Sequence, residues 1–315
     1  MSKVLVTGSA GYLANILIPE LMGLGHTVIG IDNLMYNHKQ SNYGRGFEFH
    51  NVDVRDKQVV WPHLQKVDIV IPCAALVGMP VCNRLPKEAT ETNFEAIEQM
   101  VGIMSPNQRL IYLNSNSAYG KGGPIALTED SPVRPLSLYA QTKMDGERVA
   151  MKHPQATTFR LATVFGVSSR MRLDLLVNDF TYKAFFEKRV CLYEPHFRRN
   201  YVHIKDVARI LIASIERSDM HGQVYNLGCD EVNCTKKELA LQIAKHLDFN
   251  IIMGTGHKKD PDGRDYIVSS AKLACMGFKA RLDLDYGINE LINLFSTMPK
   301  RGKERGYLVR GCKNA

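Results

Sequence analysis

The chain lacks long apolar runs. None of its stretches approaches the roughly 18 to 20 unbroken apolar positions of a membrane span, so no membrane partner is expected. Its first residues, MSKVLVTGSAGY, go straight into a strand-like pattern. They hold neither an apolar core of about 7 to 15 residues nor a cleavage site, which reads as a cytoplasmic protein. Cysteine is scattered: Cys73, Cys82, Cys191, Cys229, Cys234, Cys275 and Cys312 form an odd set with no CxxC pair. That pattern fits reduced thiols and excludes a disulfide frame or a zinc knuckle, so no metal is expected. Internal repeats and low-complexity linkers are absent too. Excess charge is nearly absent from the body. Six basic residues and Glu304 give +5 to residues 300–315, leaving +3 of the total +8 for the rest. A nucleic-acid reader shows a basic face with interleaved aromatics in the fold itself, so no nucleic-acid partner is expected. The basic tail reads as a solvated end, with docking to an acidic partner as the alternative.

What is present is a globular pattern: 315 residues, 45% of them apolar. Strand-like runs at 3–7, 26–32, 47–54, 67–76, 109–115 and 156–166 alternate with helical stretches such as 89–104 and 137–153. Such alternation predicts an α/β fold, a Rossmann-type doubly wound parallel sheet with helices on both faces. The pattern loosens after 166. Helices are read at 173–188, 204–218, 235–247 and 285–298, and strands at 190–194 and 222–229. Residues 1–166 are thus expected to bind a dinucleotide. Residues 167–299 are expected to build mainly a smaller substrate-binding lobe, with some segments returning to the body, ahead of the tail 300–315.

GSAGYLA follows the first strand and opens a helix, placing Gly8, Gly11 and Ala14 at GxxGxxA spacing. Glycines let the backbone approach a pyrophosphate, and the helix N-terminus offers it free N–H groups. Tyr12 and Leu13 complete this turn. Asp32 ends the second strand, where a carboxylate accepts ribose hydroxyls and repels a 2′-phosphate; Asn33, not an arginine, follows it, so NAD is favoured over NADP. Asp53 and Val54 end the third strand, where an acid beside a backbone N–H suits an adenine edge. Ala74, Ala75 and Leu76 end the fourth and leave room for a flat ring. Tyr139 and Lys143 lie four apart on a helix and share a face. An ammonium there lowers the phenol pKa and makes Tyr139 a base for an alcohol proton.

Taken in order, the glycine-rich turn, the acidic strand end, the LNSNSAYG cluster (113–120) and YxxxK resemble the extended short-chain dehydrogenase/reductase family over nearly the whole chain. The resemblance implies that Ser115, four residues before Tyr119, hydrogen-bonds the reacting oxygen. It implies that Lys143 tunes Tyr139 and holds the nicotinamide ribose, and that Asn93 is a support residue. RLATVFG, MRLDLLVNDF, RRNYVHIKDVA and GRDYIVS look like the family's nucleotide-sugar enzymes, especially those acting on GDP-heptose at C4, with UDP-hexose 4-epimerases less similar. RRNYVH is read there as a turn before an Asp-capped helix. The substrate contacts implied are Val77, Asn116, Ser117, Thr163, Arg172, Asn178, Arg199 and Arg264. Arg199 and Arg264 are placed to meet a diphosphate; Thr163 stands where the family has Asn. A homodimer through helices 89–104 and 137–153 is implied as well.

Asn116 and Ser117 occupy the positions where the family's 4,6-dehydratases carry an Asp-Glu pair. Neither titrates near neutral pH, which disfavours dehydration. The expected activity is an NAD-dependent oxidation at sugar C4 through a 4-keto species, as an epimerase or a dehydrogenase. The alternatives are a 4,6-dehydratase and a non-catalytic NAD-binding regulator.

Overall fold

The computed structural model describes residues 1–254 and 264–298. The basic tail, Cys312 and residues 260–263 ahead of Arg264 lie outside them. Seven strands form one parallel sheet: β1 (Lys3–Thr7), β2 (Thr27–Asp32), β3 (Phe47–Asn51), β4 (Ile69–Pro72), β5 (Arg109–Ser115), β6 (Ala156–Leu161) and, from late in the chain, Gln223–Leu227. In space the order is Gln223–Leu227, β6, β5, β4, β1, β2, β3. Side chains alternate across β1. Val4 and Val6 pack with the helices Ala14–Gly23 and Ile204–Ser214, whereas Leu5 joins Val60, Leu64, Ala96 and Met100 on the other face. Burial on both faces explains the continuous apolar runs. The order reverses between β1 and β4, and such a switch point opens a crevice beyond the strand ends.

Residues 156–166 are not one strand. The chain leaves the large sheet at Ala162, whose N–H reaches Leu227 O at 2.9 Å, and Thr163–Phe165 becomes β7 of a second sheet. β8 (Arg189–Leu192) follows. RRNYVH is not a turn but β9 (Arg198–His203), paired with β7 on one side and on the other with β11 (Cys229–Thr235), β10 being Gln223–Leu227. Its polar letters hide a strand whose Tyr201, Val202 and His203 are all fully buried. The next helix is capped by His203, whose ring accepts Lys205 N–H, rather than by an aspartate. Asp206 instead accepts the N–H groups of Arg281 and Leu282 at 2.7 and 2.8 Å. β12 (Asn250–Met253) pairs with β8. The Thr235–Glu238 capping box is present. Pro19 stays within its helix on the exposed side.

A second core gathers Phe165, Val177, Phe180, Tyr201, Leu239, Ile288 and Phe295. Tyr12 of the glycine-rich turn belongs to that core and donates from its hydroxyl to Gly166 O at 2.6 Å, tying the turn to the end of β7. No helix among the described residues is long and apolar enough to cross a membrane.

Candidate active site

The crevice starts where β1 and β4 end. Gly8 adopts φ +66°, and a Cβ on it would meet Ala74 N at 2.7 Å, so only glycine leaves this cradle open. Gly11 donates to Gly8 O at 2.8 Å, and the helix Ala14–Gly23 rises behind with Leu13 at its cap and no acid in its first turn. Its N-terminus can face an anion. Thr7 Oγ1 accepts Ala74 N–H at 3.2 Å and pins the opposite wall. Asp32 accepts Ala10 N–H at 3.1 Å and Leu34 N–H at 2.7 Å. A carboxylate offers about four acceptor sites, so two remain for ribose hydroxyls. The chain therefore fits a dinucleotide.

Asp53 is more committed. It takes Arg55 N, Nε and Nη2 at 3.0, 2.9 and 2.8 Å and Asn33 Nδ2 at 2.9 Å. Its carboxyl is held at about 2, chiefly by the Arg55 hydrogen bonds. An adenine amino group would have to displace one of these donors. Val54, 7% exposed, packs with Ile31 and Leu64.

Asn93 lies in a π-helical turn, 1% exposed. Its Oδ1 accepts Leu76 N–H at 2.9 Å, and its Nδ2 donates to Leu76 O at 3.0 Å and Thr142 Oγ1 at 3.2 Å. Thr142 in turn donates to Tyr139 O at 3.1 Å. Asn93 thus locks the end of β4 to the helix Leu138–Ala150, and Val77, Leu76 and Cys82 pack against Tyr139.

Ser115 ends β5 half-buried, and its Oγ accepts Ser117 N–H at 3.2 Å and Ser117 O–H at 3.0 Å. The Tyr139 phenol is buried, which pushes its pKa up. Arg172, the nearby Ser115 hydroxyl and Arg264 oppose that shift without cancelling it. Lys143 stands one turn on, as the spacing requires, with Nζ 4.4 Å from the Tyr112 ring centroid. Burial lowers its pKa to about 8, against the favourable nearness of Cys73 and Glu147. The positive charge acting most on Tyr139 is thus Arg172, a source the YxxxK spacing does not reveal.

Asn116 and Ser117 are 1% and 3% exposed, and both amide atoms of Asn116 lack a partner. Arg172 pairs with Asp174 through Nε at 3.1 Å and Nη2 at 2.5 Å. Asn178 is fully buried, its amide spent on Tyr12 Oη at 3.2 Å, Arg172 O at 2.9 Å and Gly166 N at 3.1 Å. Arg199, 3% exposed on β9, and Arg264 both act on Tyr201, which is paired in register with Thr163. Behind the cluster lies a network that sequence reading missed. Asn114 donates to Glu147 at 2.6 Å, Glu147 pairs with Arg160 at 2.6 Å, and Arg160 donates to Tyr119 Oη at 2.9 Å. Its only sequence trace is polar residues inside otherwise apolar strands.

A model of the NAD dependent epimerase/dehydratase family matches residues 4–228. A putative UDP-glucose 4-epimerase of Methanocaldococcus jannaschii is 23% identical over 303 residues, covering 92% of this chain and 97% of its own. The structure of the Thermus thermophilus UDP-glucose 4-epimerase, in complex with NAD, superposes with a TM-score of 0.81 at 23% identity, over 94% of this chain and 99% of that one. That of dTDP-glucose 4,6-dehydratase from Bacillus anthracis, also with NAD, gives 0.80 at 19% identity, over 94% and 97%. One fold thus serves enzymes with different products.

Proposed function

The chain belongs to the NAD-dependent epimerase/dehydratase family, and within it we propose a nucleotide-sugar oxidoreductase working at sugar C4 through a 4-keto species, as a 4-epimerase or a 4-dehydrogenase. One observation carries this reading. The two side chains after Ser115 are buried, Asn116 at 1% and Ser117 at 3% exposed, and neither is a carboxylate. Asn116 and Ser117 follow Ser115 where a dehydratase needs acids. Removing a C5 proton and expelling a C6 hydroxyl both require a titrating group, and neither side chain supplies one. Tyr139, Lys143 and Ser115 together speak against a purely regulatory role.

The turn at Gly8 and Gly11 would hold the cofactor diphosphate, and Asp32 the adenosine ribose. Bound NAD supplies the hydride acceptor. Tyr139 Oη, once ionised, would take the C4 hydroxyl proton as the C4 hydrogen leaves as hydride to the nicotinamide, leaving a carbonyl at C4. Ser115 Oγ donates to that oxygen, and Lys143 supports the phenolate form of Tyr139 that accepts the proton. Arg199 and Arg264 meet the sugar diphosphate, a contact suited to guanidinium forks. Hydride return to the opposite face gives the C4 epimer. Loss of the keto sugar gives a dehydrogenase that needs a second oxidant. The family likeness supports a homodimer through the helical segments 89–104 and 137–153, which sedimentation tests.

The experiment is a panel of UDP-, GDP-, CDP- and dTDP-sugars, with and without a 2-oxo acid as oxidant, read by NMR of products and absorbance of reduced nicotinamide. An inverted C4 without net reduction marks the epimerase; a 4-keto product marks the dehydrogenase. A 4-keto-6-deoxy product, or no turnover of any sugar, rejects the reading.

A further inference from the structure

Two loops far apart in sequence meet over the cofactor crevice. The first follows β2, where Leu34 and Asn37 take left-handed backbone, φ 54° and 53°, on either side of Tyr36. The second follows β7. It is anchored to the glycine-rich turn by Ser168 Oγ, which donates to Tyr12 O at 2.8 Å, and by Tyr12 Oη on Gly166 O. The guanidinium of Arg170 lies 4.4 Å from the Tyr36 ring centroid, within stacking range. Arg172, two residues on, is engaged by Asp174, but no carboxylate pairs with Arg170 among the described residues. Arg170 nevertheless feels Asp32, the ribose carboxylate, while Arg172 acts on Tyr139. The segment 168–174 therefore runs along the crevice from its ribose end to its reacting end. A half-buried cation stacked on a ring, with Asp32 and Asp174 acting on it only through space, keeps N–H donors available for phosphate or ribose oxygens.

We propose that Arg170 and Tyr36 form a latch across the dinucleotide crevice that sets how slowly NAD leaves. This holds whichever reaction the sugar undergoes, because it concerns the cofactor alone. The latch must part before the cofactor can exit, so its strength appears in the release rate.

The test loads the full-length protein with radiolabelled NAD, removes free cofactor by gel filtration and follows release into excess unlabelled NAD. Arg170→Ala and Tyr36→Ala each release NAD roughly 5- to 30-fold faster than wild type, the range expected for losing a stacked cation. The double variant is no faster than the faster single one, because both changes break the same contact. Tyr36→Phe, which keeps the ring, releases NAD like wild type. Arg170→Lys keeps the charge without the flat face and lies between, which covers the case in which Arg170→Ala does not fold. Unchanged release in the Arg170 variants, simple additivity in the double variant, or a Tyr36→Phe as leaky as Tyr36→Ala overturns the latch. So does an Arg170 effect on the sugar KM with release unchanged.

Discussion

Asn114 and Ser115 are neighbours on β5, yet the regions they enter are built differently. Asn114 enters a closed network. In register across three strands, Arg160 sits between Asn114 and Asn226, and Tyr119 Oη donates to Asn226 Oδ1 at 2.6 Å. Asn226 N–H reaches Glu129 at 2.6 Å, and Asn114 Oδ1 accepts Ser115 N–H at 2.7 Å. Charge is buried there because it is paired and hydrogen-bonded. Ser115 enters an open cluster, in which the Asn116 amide is unpartnered and the Tyr139 phenol is desolvated with its pKa raised. Groups left unsatisfied cost stability, and such sites are where function collects. The closed region makes the open one rigid enough to be left open.

Tyr139→Phe gives the largest effect. Removing the base lowers kcat by roughly 10³- to 10⁴-fold, while the denaturation midpoint stays near wild type. A large stability loss in this variant breaks the distinction between the regions. Glu147→Ala does the reverse: Arg160 is left buried and unpaired, and unfolding in urea shows a loss of about 3 to 5 kcal/mol. Lys143→Met joins both regions. Its kcat falls about 10²-fold. Burial lowers the Lys143 pKa to about 8 from 10.5, so between those values the unfolded chain binds more protons than the native one. Wild-type stability therefore gains a rising contribution with pH across that window, and a pH series of unfolding curves shows it missing in the methionine variant. The smallest effect is Glu290→Gln, a control outside both regions. Burial pushes the Glu290 carboxyl up, but hydrogen bonds from His203 and Lys205 outweigh it and hold it at about 2. Its contribution is present above 4.5 and lost as pH falls toward 2. The glutamine variant has a shallower acid-melting profile and unchanged turnover at neutral pH.

The open cluster was the more legible region in sequence, since GSAGYLA and YxxxK are contiguous and each sits on one strand–helix turn or one helix face. The closed network is not legible. Asn114, Glu147, Arg160 and Asn226 come together only through strand pairing, and each alone looks like a misplaced polar residue. Tyr36 and Arg170 illustrate the same limit, because loop conformation, not periodicity, brings them together. β9 was hidden for another reason: arginine, asparagine and histidine inside a strand buried on both sides look like a turn. Spacing places Tyr139 and Lys143 one turn apart on one helix. It does not show that burial outweighs the nearby positive charge, or that Arg172 contributes most of it.

The central claim is that hydride leaves sugar C4 and nothing else is removed. The direct measurement is turnover, in D2O, of whichever nucleotide sugar proves active, deuterated at C4, followed by NMR. The account predicts slower turnover than with the protium sugar, label either returned to C4 with inverted configuration or carried off on the reduced cofactor, and no solvent deuterium entering C5 or C6 during turnover. Solvent deuterium at C5 or C6 with loss of the C6 hydroxyl, or no isotope effect from the C4 label together with neither inversion at C4 nor label on the cofactor, would contradict it.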